Sequence, residues 1–193
     1  GVLPKAMEEA KLMFAASEAG LAEVTRNLAK LPLAFQPGTR WEYSVGIDVI
    51  GRVVEAVSGQ SLDAFFQTRI FDPLGMTETG FAVPDNALDR FASLYTPLAA
   101  GAMALNNADS KSADTLRCVD VAQKSPFRAP KTLSGGGGLV GAIDDYMLFC
   151  EALRTGGQGL VSPSTLRFMT ANHLPGDIAS MGPSSFAEQP MTG

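Results

Sequence analysis

Cysteine, histidine and tryptophan are almost missing from this chain. Its 193 residues hold two cysteines, one histidine and one tryptophan. Cys118 and Cys150 lie far apart with no C-x-x-C, so free thiols are expected and no disulfide framework or thiolate metal site is indicated. With His173 alone, a histidine-rich metal site and a chain of histidine bases are both excluded. Neither a metal nor a cofactor is expected. Basic residues are in the minority: the net charge of −5 makes nucleic acid and anionic membrane surfaces poor partners. No apolar run approaches the roughly 20 residues of a membrane span, and residues 1–20 lack a signal-peptide pattern. No Gly-x-Ser-x-Gly elbow, Walker loop or Rossmann glycine pattern occurs. No compartment is indicated.

What is present is a 46% hydrophobic composition, enough for a core, at a length natural for one domain over 1–193. Apolar spacing predicts helices near 18–30, 45–58, 62–71, 142–155 and 163–171. Ser17 is read as cap of the first, whose apolar side is Leu21, Val24, Leu28 and Leu31. Ser44 caps the second, which carries Val49, Ile50, Val53, Val54 and Val57 on one side and stops at Gly59. Ser61 caps the third. Gly141 caps the fourth, with Ile143, Met147, Cys150 and Leu153 inward; Ser162-Pro163 opens the fifth. A few short strands are expected between 79 and 122, with Phe81–Val83, Phe91–Tyr95 and Leu116–Val121 as candidates. Residues 99–130 read as a surface excursion, and 176–193 as a poorly ordered tail. The fold class is α+β, mainly helical.

The chemistry gathers around Phe35-Gln36-Pro37-Gly38-Thr39-Arg40-Trp41-Glu42-Tyr43-Ser44-Val45 and the helix that follows. Pro37-Gly38 reverses the chain. Tyr43 then falls in the last turn of loop before a helix N-terminus, where forming a nearby anion costs less, a phenolate included. By itself such a tyrosine reads most simply as an aromatic whose hydroxyl bonds the backbone. The second candidate is the run Gly136, Gly137 and Gly138 within Ser134-Gly135-Gly136-Gly137-Gly138-Leu139, read either as a connector or as backbone that lets another group approach closely. Asp144-Asp145 reads as a helix-start pair, and His173 as a residue near a helix end.

Taken together, PGTRWEYS, the D-V-I-G helix, Phe71-Asp72-Pro73-Leu74-Gly75-Met76-Thr77-Glu78-Thr79 and the glycine run resemble the serine β-lactamase and penicillin-binding-protein superfamily. The match is strongest to its class C-like branch, the family VIII carboxylesterases, over residues of about 20 to 175. The resemblance implies the helical region of a β-lactamase/transpeptidase-like fold, without most of its central sheet. It implies an acyl-enzyme mechanism in which Tyr43 is the general base, and Gly136, Gly137 and Gly138 form a wall of the substrate-binding acyl pocket. Val45 stands where β-lactamases usually carry an asparagine amide, which favours a small-molecule ester over a β-lactam. The family's Ser-x-x-Lys pair is absent from the chain. Lys131-Thr132-Leu133 and Met191-Thr192-Gly193 do not supply its Lys-Thr-Gly strand motif. The expectation is therefore a segment of a serine hydrolase that is inactive by itself. β-Lactam hydrolysis or acyl transfer are alternatives within the superfamily. A different alternative is a non-catalytic helical module that self-associates, as a homo-oligomer, or binds a partner through exposed apolar surface.

Overall fold

A computed structural model of the chain describes residues 19–33, 35–37, 39, 45–97 and 116–173. Helix α1 is Leu21–Leu28, α2 is Gly46–Ser58 and α3 is Leu62–Phe66. α3 runs through a widened π turn, Gln67–Phe71, into the short α4, Asp72–Leu74. Strand β1, Leu94–Pro97, pairs antiparallel with β2, Leu116–Asp120. Helices α5, Ile143–Arg154, and α6, Pro163–Met169, complete the order. The molecule is thus α+β and mainly helical, and among the described residues its sheet has two strands.

The boundaries follow local chemistry. α1 starts after Gly20 rather than at Ser17, which lies outside the described residues with the rest of 1–18. Leu21 and Val24 are buried as the apolar spacing requires. Gly59 ends α2 in the left-handed conformation, φ 70°, where a side chain is disfavoured. Ser61 occupies the cap position of α3, but its hydroxyl makes no capping bond. Instead, Leu62 N donates to Glu55 Oε1 at 3.3 Å and Ala64 N to Asp63 Oδ1 at 2.8 Å. Ser162 caps α6 as expected, accepting from Thr165 N at 3.1 Å.

The core sits where α1, α2 and α3 converge. Leu21, Leu62 and Phe81 are buried there, with Val54, Phe66 and Leu133 packed against them. The Phe66 ring stacks on Phe81 at 5.8 Å and meets Phe71 edge-on at 6.0 Å. α2 enters this core through the buried Gly51 and through Val54. The rest of its apolar side faces solvent: Val57 is 84% exposed, and Val49, Ile50 and Val53 are exposed as well.

Four expectations are corrected. The inward face of α5 is not Ile143, Met147, Cys150 and Leu153: Ile143 is 72% exposed and Met147 is exposed too, while Cys150 and Leu153 are half-buried. The residues the helix buries are Asp145 and Ala152, and the Asp145 carboxylate accepts hydrogen bonds from a distant loop. Gly141 is not the cap of α5; Ala142 is. Gly141 lies against Thr79, whose Oγ1 would come within 2.7 Å of a Cβ there. Phe81–Val83 forms no strand. One bridge at Gly80 and Val140, N to O 2.9 Å in both directions, holds that segment, and both of its large side chains point into the core. The strand expected at Phe91–Tyr95 is Leu94–Pro97, overlapping the expected span only at Leu94 and Tyr95. Of the 99–130 excursion, residues 116–130 are described and consist of β2 and two 3₁₀ turns, Ala122–Lys124 and Pro126–Arg128. The tail at 176–193 lies outside the described residues.

Candidate active-site segment

The turn at Pro37 is closed by Thr39, whose N donates to Gln36 O at 3.2 Å and whose Oγ1 donates to the same oxygen at 2.7 Å. Tyr43, with Arg40, Trp41, Glu42 and Ser44, lies outside the described residues, and the cap position expected at Ser44 falls on Val45 instead. The description resumes at Val45, which holds the cap position of α2: Asp48 N and Val49 N donate to Val45 O at 3.1 and 3.3 Å.

Against this first turn of α2 rests the glycine run. Gly135 touches the helix backbone itself; a Cβ on it would lie 2.7 Å from the Ile47 carbonyl oxygen, closer than real Cβ atoms come. Ser134, 2% exposed, donates its hydroxyl to Asp48 Oδ1 at 2.5 Å. The same hydroxyl accepts from Gly137 N at 3.2 Å, and Gly136 N reaches Asp48 Oδ1 at 3.5 Å. Gly138 N donates to Ser134 O at 3.0 Å and closes the turn. The run is therefore a hydrogen-bonded turn built on a carboxylate from another element, rather than a loose connector. Gly136, Gly137 and Gly138 all belong to it, and Gly136 and Gly137 present their faces to solvent.

Beside it, Val24, Thr25, Leu28, Val45, Asp48, Thr132 and Ser134 enclose a pocket of about 20 Å³, room for roughly one water. Thr132 is held to the chain just before α1 by its hydroxyl, which donates to Ala19 O at 2.6 Å. The segment entering the glycine run is thus pinned on one side to the entry of α1 and on the other to α2.

A second, larger cavity of about 460 Å³ opens elsewhere, among Thr77–Gly80, Asn86, Arg90 and Val140–Ala142. Its rim carries an ion pair in which Arg90 Nη2 and Nη1 donate to the Glu78 carboxylate. Hydrogen bonding from Arg90, then its charge, holds the Glu78 carboxyl below the ordinary value and raises Arg90. Behind the rim, the buried Asp145 carboxylate accepts from Glu78 N at 2.7 Å and from Thr79 Oγ1 at 2.8 Å. Gly136, Gly137 and Gly138 do not line this cavity.

His173 stands at the end of α6. Its Nε2 donates to Phe168 O at 2.6 Å and its ring meets the Phe168 ring at 4.6 Å, which is a helix-end contact. Cys118 and Cys150 are free thiols. Among the described residues no three His, Cys, Asp or Glu side chains gather as metal ligands. Nor, among them, is any helix long and apolar enough to cross a membrane. Sequence reasoning missed Asp48, Ser134 and Asp145 as organising groups. The only trace of the first two was their presence within the D-V-I-G and Ser-Gly words.

Comparison with known proteins supplies the lineage. The Beta-lactamase family model matches residues 3–185. Esterase EstB of Burkholderia gladioli is 34% identical over 149 residues, covering 69% of this chain and 34% of that protein. Lovastatin esterase of Penicillium rubens is 60% identical over 50 residues, covering 26% of this chain and 12% of its own length. The solved structure of EstCE1, described as a hydrolase with promiscuous acyltransferase activity, superposes with a TM-score of 0.66 at 30% identity. It covers 84% of this chain and 43% of EstCE1. The chain spans about a third of the curated relatives that it matches along most of its length. The chain belongs to the Beta-lactamase family, within the serine β-lactamase and penicillin-binding-protein superfamily and with esterases among its relatives.

Proposed function

We propose that this chain is part of a serine hydrolase acting on carboxylic esters through an acyl-enzyme, with Tyr43 as general base. The observation that carries the reading is the likeness to Esterase EstB at 34% identity across 69% of the chain. In this mechanism a serine outside the chain attacks the ester carbonyl while the Tyr43 phenolate takes its proton. The tetrahedral intermediate collapses, the C–O bond to the alcohol breaks, and Tyr43 returns the proton to the departing alkoxide. Water then attacks the acyl-enzyme, giving a proton to Tyr43; the C–O bond to the serine breaks, Tyr43 returns that proton to the serine oxygen, and the carboxylic acid leaves. The phenol must ionise well below its reference pKa of about 10, which a neighbouring cation and the start of α2 both favour. Gly136, Gly137 and Gly138 form a wall of the acyl pocket, where backbone without side chains leaves room for substrate.

Without a Ser-x-x-Lys pair the chain alone is inert toward esters and β-lactams. Acyl transfer to an acceptor other than water is a second reading, favoured by the activity described for EstCE1. Self-association of the isolated chain is a third, favoured by the exposed Ile50, Val53 and Val57 on α2.

The test is turnover of an activated aryl ester by the full-length protein, with labelling by a serine-reactive phosphonate and Tyr43→Phe beside the native enzyme. The variant lowers kcat by roughly 10²–10⁴-fold with little change in affinity. Near-normal turnover removes Tyr43 from the mechanism.

A further inference from the structure

We infer that Asp48 and Ser134 are positioning residues, which set the glycine turn against the first turn of α2, the helix that follows Tyr43 in the chain. The inference rests on the ester-hydrolase reading above and adds two residues to it. Asp48 lies five residues after Tyr43, in the first turn of α2. Ser134 directly precedes the glycine run, 86 residues further on, and is almost wholly buried. One carboxylate oxygen, Asp48 Oδ1, receives the Ser134 hydroxyl at 2.5 Å and the Gly136 N–H at 3.5 Å. The hydroxyl is used in both directions, donating to Asp48 and accepting from Gly137 N. Backbone packing of Gly135 on the Ile47 carbonyl leaves no slack between turn and helix.

The arrangement ties the turn to the start of one helix through Asp48 Oδ1, which holds Gly136 directly and Gly137 by way of the Ser134 hydroxyl. Removing that atom leaves the Ser134 hydroxyl and the Gly136 N–H without their partner, so the turn keeps its packing on α2 but loses the hydrogen bonds that orient it. A general base and a pocket wall work only at a fixed separation, and misplacement by about 1 Å can cost about 10²-fold in rate. Asparagine keeps an acceptor oxygen at the same position while removing the charge, so position and charge can be separated.

The experiment uses the full-length protein, with active sites counted by phosphonate titration so that misfolded molecules drop out of the rate. Asp48→Ala lowers kcat per titrated site by about 10–100-fold. Asp48→Asn recovers it to within about threefold of the native value, since the acceptor is kept. In a Tyr43→Phe background Asp48→Ala adds less than about threefold, because both changes disable one unit. Ser134→Ala, a smaller change, carries the same test if Asp48→Ala yields too little titratable enzyme, again with a loss of about tenfold or more. Native kcat per site in Asp48→Ala or Ser134→Ala overturns the inference. So does an Asp48→Asn enzyme as impaired as Asp48→Ala, or full additivity with Tyr43→Phe. A Tyr43→Phe enzyme with undiminished turnover overturns the underlying reading and this inference with it. A collapse in Tyr43→Phe beside a normal Asp48→Ala overturns the inference alone.

Discussion

Replacing Asp145 by alanine should destabilise the protein far more than the same change at its neighbour. The Asp145 carboxylate is 6% exposed and accepts two hydrogen bonds, from Glu78 N at 2.7 Å and Thr79 Oγ1 at 2.8 Å. Hydrogen bonds to a charged group contribute about 1.5–3 kcal/mol each. Water can reach Glu78, whose side chain is exposed, and this offsets part of the loss. A net cost of about 2–3 kcal/mol follows. With a urea m-value of about 2 kcal/mol/M, the unfolding midpoint falls by about 1–1.5 M. Asp144 is the control, because it sits in the same first turn of α5 and is exposed. Its replacement by alanine changes helix propensity and the dipole interaction in the same way, so those contributions cancel in the difference. Asp145→Asn keeps one acceptor and falls between the two. The assay is urea unfolding followed by far-ultraviolet circular dichroism. Equal midpoints for Asp144→Ala and Asp145→Ala would refute the assignment of Asp145 as the tie between α5 and the 77–79 loop.

The glycine turn makes a sharper steric prediction: Gly135→Ala places a Cβ 2.7 Å from the Ile47 carbonyl oxygen, whereas Gly137 has open space around it. Gly135→Ala should cost about 1–3 kcal/mol, and Gly137→Ala little, which a pair of thermal melts resolves. The exposed Glu78–Arg90 pair predicts a pH effect whose sign is set by the depressed Glu78 pKa. Its stabilisation is present above the unfolded-state pKa of Glu78 and is lost as pH falls through the lower folded value. Arg90→Ala should move the Glu78 titration, followed by carboxyl-carbon NMR, back up toward the ordinary value; an unmoved midpoint would show that Arg90 is not the cause.

Local chemistry decided where the helices lie. Gly59 stops α2 because it can take a positive φ, and Ser162-Pro163 opens α6 because a hydroxyl caps the helix and a proline needs no donor at its first position. The family, too, was legible, since words such as PGTRWEYS and Pro-Leu-Gly-Met stand in the chain as residues in order. The facing of α5 was not. Apolar periodicity pointed to Ile143 and Met147, yet the helix turns Asp145 inward, where its carboxylate accepts from two donors some 66 residues away. Periodicity registers hydrophobic residues and carries no record of a distant N–H.

The glycine run shows the same division between chain and fold. Four consecutive glycines announce that side chains are unwelcome, without saying what stands in their way. The obstacle is the Ile47 carbonyl, and the anchor is Asp48, both on a helix that the chain leaves some 75 residues before it reaches Ser134. By itself the sequence determined the helices, their stops and the lineage, because those depend on neighbours along the chain. Only the tertiary structure decided which carboxylates are structural and what the glycines touch, because hydrogen bonds between remote segments leave no mark on local composition.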